Sequence, residues 1–179
     1  MEDSGKRYAQ RWEWVKFLDP GQTLSLLGLN HGVVNVADFS CDYGTFTIPA
    51  ARIISGKIYA FDIEPEMIND VEQKAKGLNQ GNVEAILRDL ISEGSELNDG
   101  SINYVFLFNV LHGEKPDQLL RSHTEFCNLA VRLDYSLELD AKTRRGPPTD
   151  ISPRPEQCRR WAESERFIFE QKFAPKPYH

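Results

Sequence analysis

Short apolar runs alternate with amphipathic segments along the chain, a pattern typical of strands joined by crossover helices. Such βαβ units form a mostly parallel sheet. The predicted strands are, in chain order, Val33–Asp38, Lys57–Asp62, Val83–Leu87, Ile102–Phe108, Leu129–Tyr135 and Phe167–Phe173. We therefore expect an α/β fold, with a Rossmann-like sheet and helices on both of its faces.

Helix boundaries are predicted from prolines, glycines and charges. One helix follows Asp19-Pro20 and stops at Gly28, and another opens at Glu64-Pro65-Glu66 and runs to Gly77. The other predicted helices are an opening segment carrying Trp12, Trp14, Phe17 and Leu18, and the segments Thr45–Ser55, Pro116–Phe126 and Gln157–Ser164. We expect one domain, residues 1–179, made of a helical segment (1–30), a cofactor-binding half (31–112) and a C-terminal half (113–179).

Composition narrows the class of protein. A chain of 179 residues with 40% hydrophobic and 27% charged residues suits one globular domain. A net charge of −6 argues against nucleic-acid binding, and no apolar run approaches the roughly 18 residues that cross a bilayer. Because the N-terminus lacks the apolar region of a secretion signal, we expect a soluble, cytoplasmic protein without a membrane partner.

The cysteines are few and far apart. Cys41, Cys127 and Cys158 are odd in number, which argues against a disulfide framework and against a paired-cysteine zinc site. We expect no metal. Cys41 is either a reactive thiol or a small buried turn residue, and the other two are either metalloid-binding thiols or ordinary core residues.

Polar residues follow the first four predicted strands. These are Asp38 with the turn Ser40–Gly44, then Asp62, then Asp89, and then Asn109 with His112. The carboxyl ends of parallel strands meet at one edge, where ligands bind. An acid about 20 residues beyond the first turn binds ribose hydroxyls in nucleotide-binding units, which suits Asp62. Each acid could instead cap a turn or helix, but several at one edge indicate a nucleoside site.

A resemblance to a known family is carried by the run VVNVADFSCDYGTFTIPAARIISGKIYAFDIEPEMI. It resembles the opening half of class I S-adenosylmethionine-dependent methyltransferases, closest to the small-molecule branch of quinone- and arsenite-type enzymes. The segments LDP, LGL, FNVLH and TRRGPP…PEQCRRWAE are similar to that branch as well. The resemblance implies S-adenosylmethionine as the cofactor and a small molecule as the methyl acceptor.

The resemblance implies roles on the methionyl side of the cofactor. Asp38 would orient the methionine amine, and Asn109 and His112 would face the sulfonium and the substrate. The residues that would wrap the methionyl part are Ser40, Cys41, Asp42, Tyr43 and Gly44. His112 is the candidate catalytic base; the alternative is a structural or solvent-facing histidine, since methyl transfer often needs positioning more than a base.

On the nucleoside side, the resemblance assigns ribose binding to Asp62 and packing against adenine to Ile63. Asp89 and Leu90 would contact the adenine edge. For Asp62 the alternative is a helix N-cap, and for Asp89 it is a turn residue. The aromatic residues of the opening helix would either cover the substrate or simply pack.

The chain departs from the family in its first turn. The family pattern is acid-x-Gly-x-Gly-x-Gly, and here Ser40 and Asp42 replace two of the glycines. Glycine lets the backbone take positive φ beside a ligand, whereas other residues in that conformation cost roughly 1–2 kcal/mol. Asp42 also adds a negative charge near the place of the ligand's carboxylate. We therefore expect weaker cofactor binding than is usual in the family.

The C-terminal half departs too. Thr124–Asn128 replaces a Pro-Gly-Gly turn, and Ala174–His179 contains two prolines, so it cannot form the family's usual seventh strand. The fifth strand then pairs directly with the sixth, or stands as an exposed edge, or is completed by another molecule. We expect a homodimer.

Two functions remain open. The first is methyl transfer to a small molecule, and the second is a catalytically degenerate binding or assembly module. A nicotinamide-dependent dehydrogenase is excluded, because the turn cannot be read as G-x-G-x-x-G.

Overall fold

Strands and helices alternate in the order that the hydrophobic pattern predicts. The computed structural model describes residues 19–108, 110, 118–121 and 154–164. The elements are α1 (Pro20–Leu26), β1 (Val36–Phe39), α2 (Thr47–Ala51), β2 (Ile58–Asp62), α3 (Pro65–Gly77), β3 (Val83–Leu87), β4 (Tyr104–Phe106) and α4 (Pro155–Ser164). Residues 118–121 also form a helical turn.

The sheet has four parallel strands in the order β3-β2-β1-β4. Asp38 of β1 lies opposite Ala60 of β2 and Phe106 of β4 in the register. The chain builds the sheet outward from β1 through β2 to β3 and then places β4 on the other side of β1. The strand order therefore reverses between β1 and β4, the point at which open parallel sheets bind ligands. The expected α/β fold with a parallel, Rossmann-like sheet is confirmed.

Both faces of the sheet are covered, as expected for parallel strands. All of β1 is buried. Successive residues of β1 pack on opposite faces of the sheet: Val36 belongs to one hydrophobic cluster and Ala37 to another. The first cluster includes residues of α1 and α2, and the second includes Leu119, Leu120 and Cys158. β1 is thus the central strand from which the candidate site is built.

Several predicted boundaries need correction. α3 and β3 end where the sequence predicts, and α1 ends one residue early. β1 starts at Val36 rather than Val33; directly before it, the Asn35 side chain donates to the Ser101 carbonyl oxygen and accepts from the Lys57 N–H. α2 is shorter than the predicted Thr45–Ser55. Helical hydrogen bonds nevertheless extend beyond its ends, from the Ile48 N–H to the Gly44 carbonyl and from the Ile54 N–H to the Ala50 carbonyl.

Other boundaries shift by one to a few residues. β2 begins one residue later than predicted, β4 covers only the middle of Ile102–Phe108, and α4 begins at Pro155. Proline suits a first helical position, which explains the earlier start of α4. Some predictions lie outside the described residues: the opening helix, most of Pro116–Phe126, Leu129–Tyr135, Phe167–Phe173, and the residues Asn109, His112 and Cys127. Within the described segments, no helix has the length and apolar character needed to cross a membrane.

Candidate cofactor site

The turn after β1 has left-handed backbone at every second residue. Ser40 has φ of 66°, Asp42 has φ of 49° and Gly44 has φ of 74°. These are the three positions at which the family pattern places glycine. The chain therefore keeps the backbone shape that glycine favours while using two residues for which that shape costs energy.

Gly44 also lies in a tight space. A Cβ atom at this position would lie 3.1 Å from Val71 Cγ2 of α3 and 3.2 Å from Ile48 Cγ1 of α2. The end of the turn thus sits directly against two helices. A side chain at this position would need positive φ and a small shift of both neighbours.

Backbone hydrogen bonds attach the turn to the sheet. The Cys41 N–H donates to the Phe61 carbonyl oxygen over 2.9 Å, and the Gly44 N–H donates to the Cys41 carbonyl oxygen over 2.8 Å. The Asp42 N–H donates to Asp62 Oδ2 over 3.0 Å. The carboxylate at the end of β2 therefore helps to fix the turn that follows β1.

Asp62 is buried and has acceptor capacity left. Its side chain is 7% exposed, and its Oδ1 accepts a hydrogen bond of 3.0 Å from the Glu64 N–H. The N-cap of α3 is Glu64, so the alternative of Asp62 as the N-cap residue is wrong. Because a carboxylate offers about four lone-pair sites, two backbone bonds leave room for two hydroxyl donors.

Asp38 lies deeper in the site. It is 2% exposed, and Thr47 Oγ1 of α2 donates to its Oδ2 over 2.5 Å. Burial, opposed by the Thr47 hydrogen bond and reinforced by the charges of Asp62 and Asp42, raises the pKa of Asp38 from 3.8 to about 7. A cation bound beside Asp38 would favour the ionised carboxylate.

Cys41 is a buried turn residue. It is 4% exposed, and burial, followed by the charges of Asp38 and Asp62, raises the pKa of its thiol far above the ordinary value. A thiol kept protonated is a poor nucleophile, so the alternative of a reactive cysteine is not supported. Cys158 is likewise buried, in the core. Among the described residues, no three His, Cys, Asp or Glu side chains are arranged to hold a metal ion.

The predicted adenine residues differ in their surroundings. Ile63, directly after Asp62, is 64% exposed. Leu90 is buried in the core. Asp89 makes local bonds, because its Oδ1 accepts from the Ile91 N–H over 2.9 Å and its Oδ2 from Ser92 Oγ over 2.7 Å. Its turn role is thus visible, while its contact with adenine stays a prediction.

Two residues near the site were missed by sequence reasoning. Thr47 holds Asp38, and Lys74 Nζ of α3 donates to the Tyr43 carbonyl oxygen over 2.5 Å. No local pattern marks Thr47. Asp70 and Lys74 have the i,i+4 spacing of a helix-surface ion pair, and that spacing says nothing of a contact with the turn.

Comparison with known proteins supports this architecture. The family model described as "Methyltransferase domain" matches residues 36–129, which include the turn, Asp62 and Asp89. The chain belongs to the methyltransferase domain family. A search of curated proteins gave no match.

Solved structures share the fold at low sequence identity. A SAM-dependent methyltransferase from Aquifex aeolicus is 23% identical, with a TM-score of 0.71 over 84% of this chain and 80% of its own. Geranyl diphosphate C-methyltransferase from Streptomyces coelicolor is 14% identical, with a TM-score of 0.56 over 63% of this chain and 42% of its own. The [4+2]-cyclase SpnF is 17% identical, with a TM-score of 0.54 over 62% of this chain and 43% of its own. This chain thus spans less than half the length of the last two proteins.

Proposed function

We propose that this methyltransferase domain binds S-adenosylmethionine at the edge formed by the turn Ser40–Gly44 and Asp62, and transfers its methyl group to a small molecule. The observation that carries the proposal is the turn itself. Its left-handed positions coincide with the family's glycines, and its Asp42 N–H is held by the predicted ribose acid. Family membership supports the same cofactor.

The chemistry of the side chains fits this cofactor. Asp62 has lone pairs for the two ribose hydroxyls, and the exposed Ile63 offers an apolar surface to adenine. Asp38 would accept the methionine ammonium group, directly or through water. Asp89 and Leu90 would lie at the adenine edge.

The work of these residues is binding and orientation. The cofactor itself supplies an electrophilic methyl group on a sulfonium ion. Thr47 keeps Asp38 Oδ2 pointed in one direction, so the carboxyl group presents its other oxygen to an ammonium ion. Cys41 takes no part as a nucleophile, because its buried thiol holds its proton. Correct placement of the acceptor then accounts for much of the rate, as positioning can in general.

The acceptor is proposed as a small molecule of the kind used by the quinone- and arsenite-type branch. Coclaurine N-methyltransferase and geranyl diphosphate C-methyltransferase, which share the fold, are named for small-molecule acceptors. Asn109 and His112 are proposed to face that acceptor, with His112 as the candidate base.

A second function is favoured by one observation. Asp42 places a carboxylate where the family has glycine, and its charge adds to burial and to the charge of Asp62 in raising the pKa of Asp38 to about 7. Asp38 is the residue expected to accept the methionine ammonium group, and a site that disfavours its ionised carboxylate suits a domain that has lost methyl transfer. SpnF, named as a cyclase, shows that the fold is not confined to methyltransferases. The alternative is therefore a degenerate binding or assembly module.

A calorimetric titration with S-adenosylmethionine and S-adenosylhomocysteine tests the proposal. Both should bind with dissociation constants below about 1 mM, which corresponds to roughly 4 kcal/mol. NAD is the matched control, since it carries adenosine but no methionyl part, and it should bind more weakly. No binding of either ligand at millimolar concentration would refute the proposal.

A turnover assay separates the two functions. The protein is incubated with S-adenosylmethionine and a panel of thiols, quinones, amines and arsenite, and S-adenosylhomocysteine is measured. Acceptor-dependent formation of S-adenosylhomocysteine supports the enzyme. Binding without turnover on any acceptor favours the module.

A further inference from the structure

Lys74 connects α3 with the turn after β1. Its Nζ donates to the Tyr43 carbonyl oxygen over 2.5 Å and forms an ion pair with Asp70 one helical turn earlier. The same ammonium group lies 5.7 Å from the centre of the Tyr43 ring. Two sites on Tyr43, its carbonyl and its ring, are thus held by one side chain.

The surroundings of Lys74 strengthen these contacts. The side chains of Lys74 and Asp70 are 27% and 20% exposed, so water screens the pair less than it would on an open surface. A hydrogen bond from an ammonium group to a carbonyl is stronger than a neutral one. Asp70 limits the directions in which the lysine can point, and an ammonium near an aromatic ring gains further attraction.

The position of Tyr43 makes this connection relevant to the site. Tyr43 lies between Asp42, with φ of 49°, and Gly44, with φ of 74°. Its carbonyl belongs to the peptide group between Tyr43 and Gly44, one residue after Asp42. Holding that oxygen therefore fixes the peptide plane that leads into the left-handed Gly44, directly after the position where Asp42 opposes the backbone shape.

Neighbouring contacts reach the turn from the same helix. Val71 of α3 lies close to Gly44, 3.1 Å from where a Cβ atom would be, and Lys74 follows Val71 by three residues on the same helix face. On the side of the sheet, Asp62 at the end of β2 accepts a hydrogen bond from the Asp42 N–H. The turn is thus held between β2 and α3, and Lys74 supplies the polar contact on the α3 side.

We propose that Lys74 is a positioning residue, which keeps the turn Ser40–Gly44 in the shape that S-adenosylmethionine requires by binding the Tyr43 carbonyl, without contacting the cofactor. It helps to hold Ser40–Gly44 in the left-handed shape that glycine at positions 40 and 42 adopts without strain in the family. This inference rests on the proposed function.

The test compares Lys74→Met with two other variants of the full chain. Methionine keeps a long apolar side chain but removes the ammonium group. Lys74→Arg restores a cation that can donate to the carbonyl and lie against the Tyr43 ring. Lys76→Met is the matched control, because Lys76 is an exposed lysine in the same last turn of α3.

The first measurement needs no ligand. Hydrogen exchange followed by mass spectrometry reports the Asp42 and Gly44 amides, which are hydrogen-bonded to Asp62 Oδ2 and to the Cys41 carbonyl. In Lys74→Met their exchange should be faster by about tenfold, as expected when a charge-assisted hydrogen bond no longer opposes local opening. Lys74→Arg should recover most of the protection, and Lys76→Met should match the wild type.

The second measurement is the dissociation constant for S-adenosylmethionine. Lys74→Met should bind about tenfold more weakly, with Lys74→Arg close to the wild type and Lys76→Met unchanged. A merely structural lysine would lower the melting temperature in Lys74→Met and leave the affinity of the folded protein alone. If Lys74→Met fails to fold, Asp70→Asn is used instead. It removes the ion pair that orients Lys74, so it should raise the exchange rate and weaken binding in the same direction but by less.

The possible failures are distinguishable. Unchanged exchange and unchanged affinity in Lys74→Met would overturn the positioning role while leaving the proposed function intact. Faster exchange with unchanged affinity would overturn the link between the turn and the cofactor. No binding by the wild type would instead refute the proposed function, and the role of Lys74 toward the cofactor with it.

Discussion

At the amino edge of the sheet, asparagines stand directly before strands and bind backbone groups, whereas at the carboxyl edge aspartates stand at the strand ends. Asn35, Asn82 and Asn103 precede β1, β3 and β4, and Asp38 and Asp62 lie at or near the ends of β1 and β2. The two edges use side chains of nearly the same size. They differ in charge and in how completely their polar atoms are satisfied.

The amino edge is held by neutral amides that both donate and accept. Asn35 Oδ1 accepts from the Lys57 N–H over 3.0 Å, and its Nδ2 donates to the Ser101 carbonyl over 3.0 Å. Asn103 Oδ1 in turn accepts from the Asn35 N–H over 2.9 Å. These bonds join β1, β2 and β4 without placing a buried charge in the protein.

The carboxyl edge is less favourable for the folded state. Asp38 and Asp62 are both buried, and burial together with neighbouring negative charge raises the pKa of Asp38 to about 7. Ser40 and Asp42 add left-handed backbone. Perturbed acids and strained turns are typical of functional sites, where binding is favoured over stability. The comparison shows that the amino edge is better satisfied than the carboxyl edge, which supports the proposal that the carboxyl edge binds the cofactor.

The largest expected effect is a dependence of stability on pH that comes from Asp38. Between about pH 4 and 7, the folded chain keeps a proton that an unfolded aspartate, with its ordinary pKa of 3.8, has released. The folded state then binds more protons, so the free energy of unfolding falls as pH rises through this window and levels off above it. The fall due to Asp38 is at most about 4 kcal/mol.

Urea unfolding of wild type and Asp38→Asn at pH 5 and pH 8 measures this contribution. The asparagine cannot ionise, so the variant should lose less stability than the wild type between the two values. Asn82→Ala, at the amino edge, is the control and should keep the wild-type pH dependence. Equal pH dependence in wild type and Asp38→Asn would show that ionisation of Asp38 does not lower the free energy of unfolding.

The second-largest expected effect is a loss of cofactor affinity at the carboxyl edge, in contrast to a loss of stability at the amino edge. Asp62→Ala should weaken S-adenosylmethionine binding by about 1.5–3 kcal/mol, the range for a lost hydrogen bond to a charged group. Its stability should change little, because the loss of bonds to the Asp42 and Glu64 N–H groups is offset by the removal of a negative charge that acts on Asp38.

Asn82→Ala is the matched variant at the other edge. The Asn82 amide donates to the Ala51 carbonyl over 2.8 Å and to the Gly56 carbonyl over 3.0 Å. Its loss should cost about 1–3 kcal/mol of stability and leave the affinity of the folded protein unchanged. Calorimetric titration and urea unfolding are applied to both variants. If Asp62→Ala loses stability but not affinity, the assignment of the two edges is wrong.

Much of this architecture was predictable because local rules apply to it. α3 has proline at its start and β3 is a short apolar run, and both have the predicted bounds. The places of Asp38 and Asp62 follow from the rule that parallel strands end at one edge. Of the residues that the resemblance assigns to the turn, Ser40, Asp42 and Gly44 have left-handed backbone, which are the positions of the family's glycines.

The remainder depends on contacts that join distant segments. Thr47 reaches Asp38, and Lys74 reaches Tyr43, only because α2 and α3 pack beside the turn. Val34 is apolar but 48% exposed, so hydrophobicity alone placed the start of β1 too early. The raised pKa of Asp38 arises from burial, which a strand-end aspartate does not reveal in the sequence.

The smallest expected effect concerns the turn. Replacing Ser40 and Asp42 together with glycine should tighten S-adenosylmethionine binding by about tenfold, because it relieves the strain of left-handed backbone at both positions and removes a charge near the proposed place of the cofactor carboxylate. Asn79→Gly is the control, since Asn79 also has positive φ, of 53°, but lies beyond the end of α3. It should affect stability alone.

Asp42→Asn separates charge from backbone strain. Asparagine tolerates left-handed backbone about as well as aspartate does, so this variant removes the charge and leaves the conformation. If charge is the larger part, Asp42→Asn should recover most of the gain, and the gain should shrink in high salt. If strain is the larger part, only the double glycine variant should bind more tightly. A double glycine variant that binds no better than wild type would show that the turn has already adapted to Ser40 and Asp42, and the carboxyl edge would then owe its unusual energetics to Asp38 and Asp62 alone.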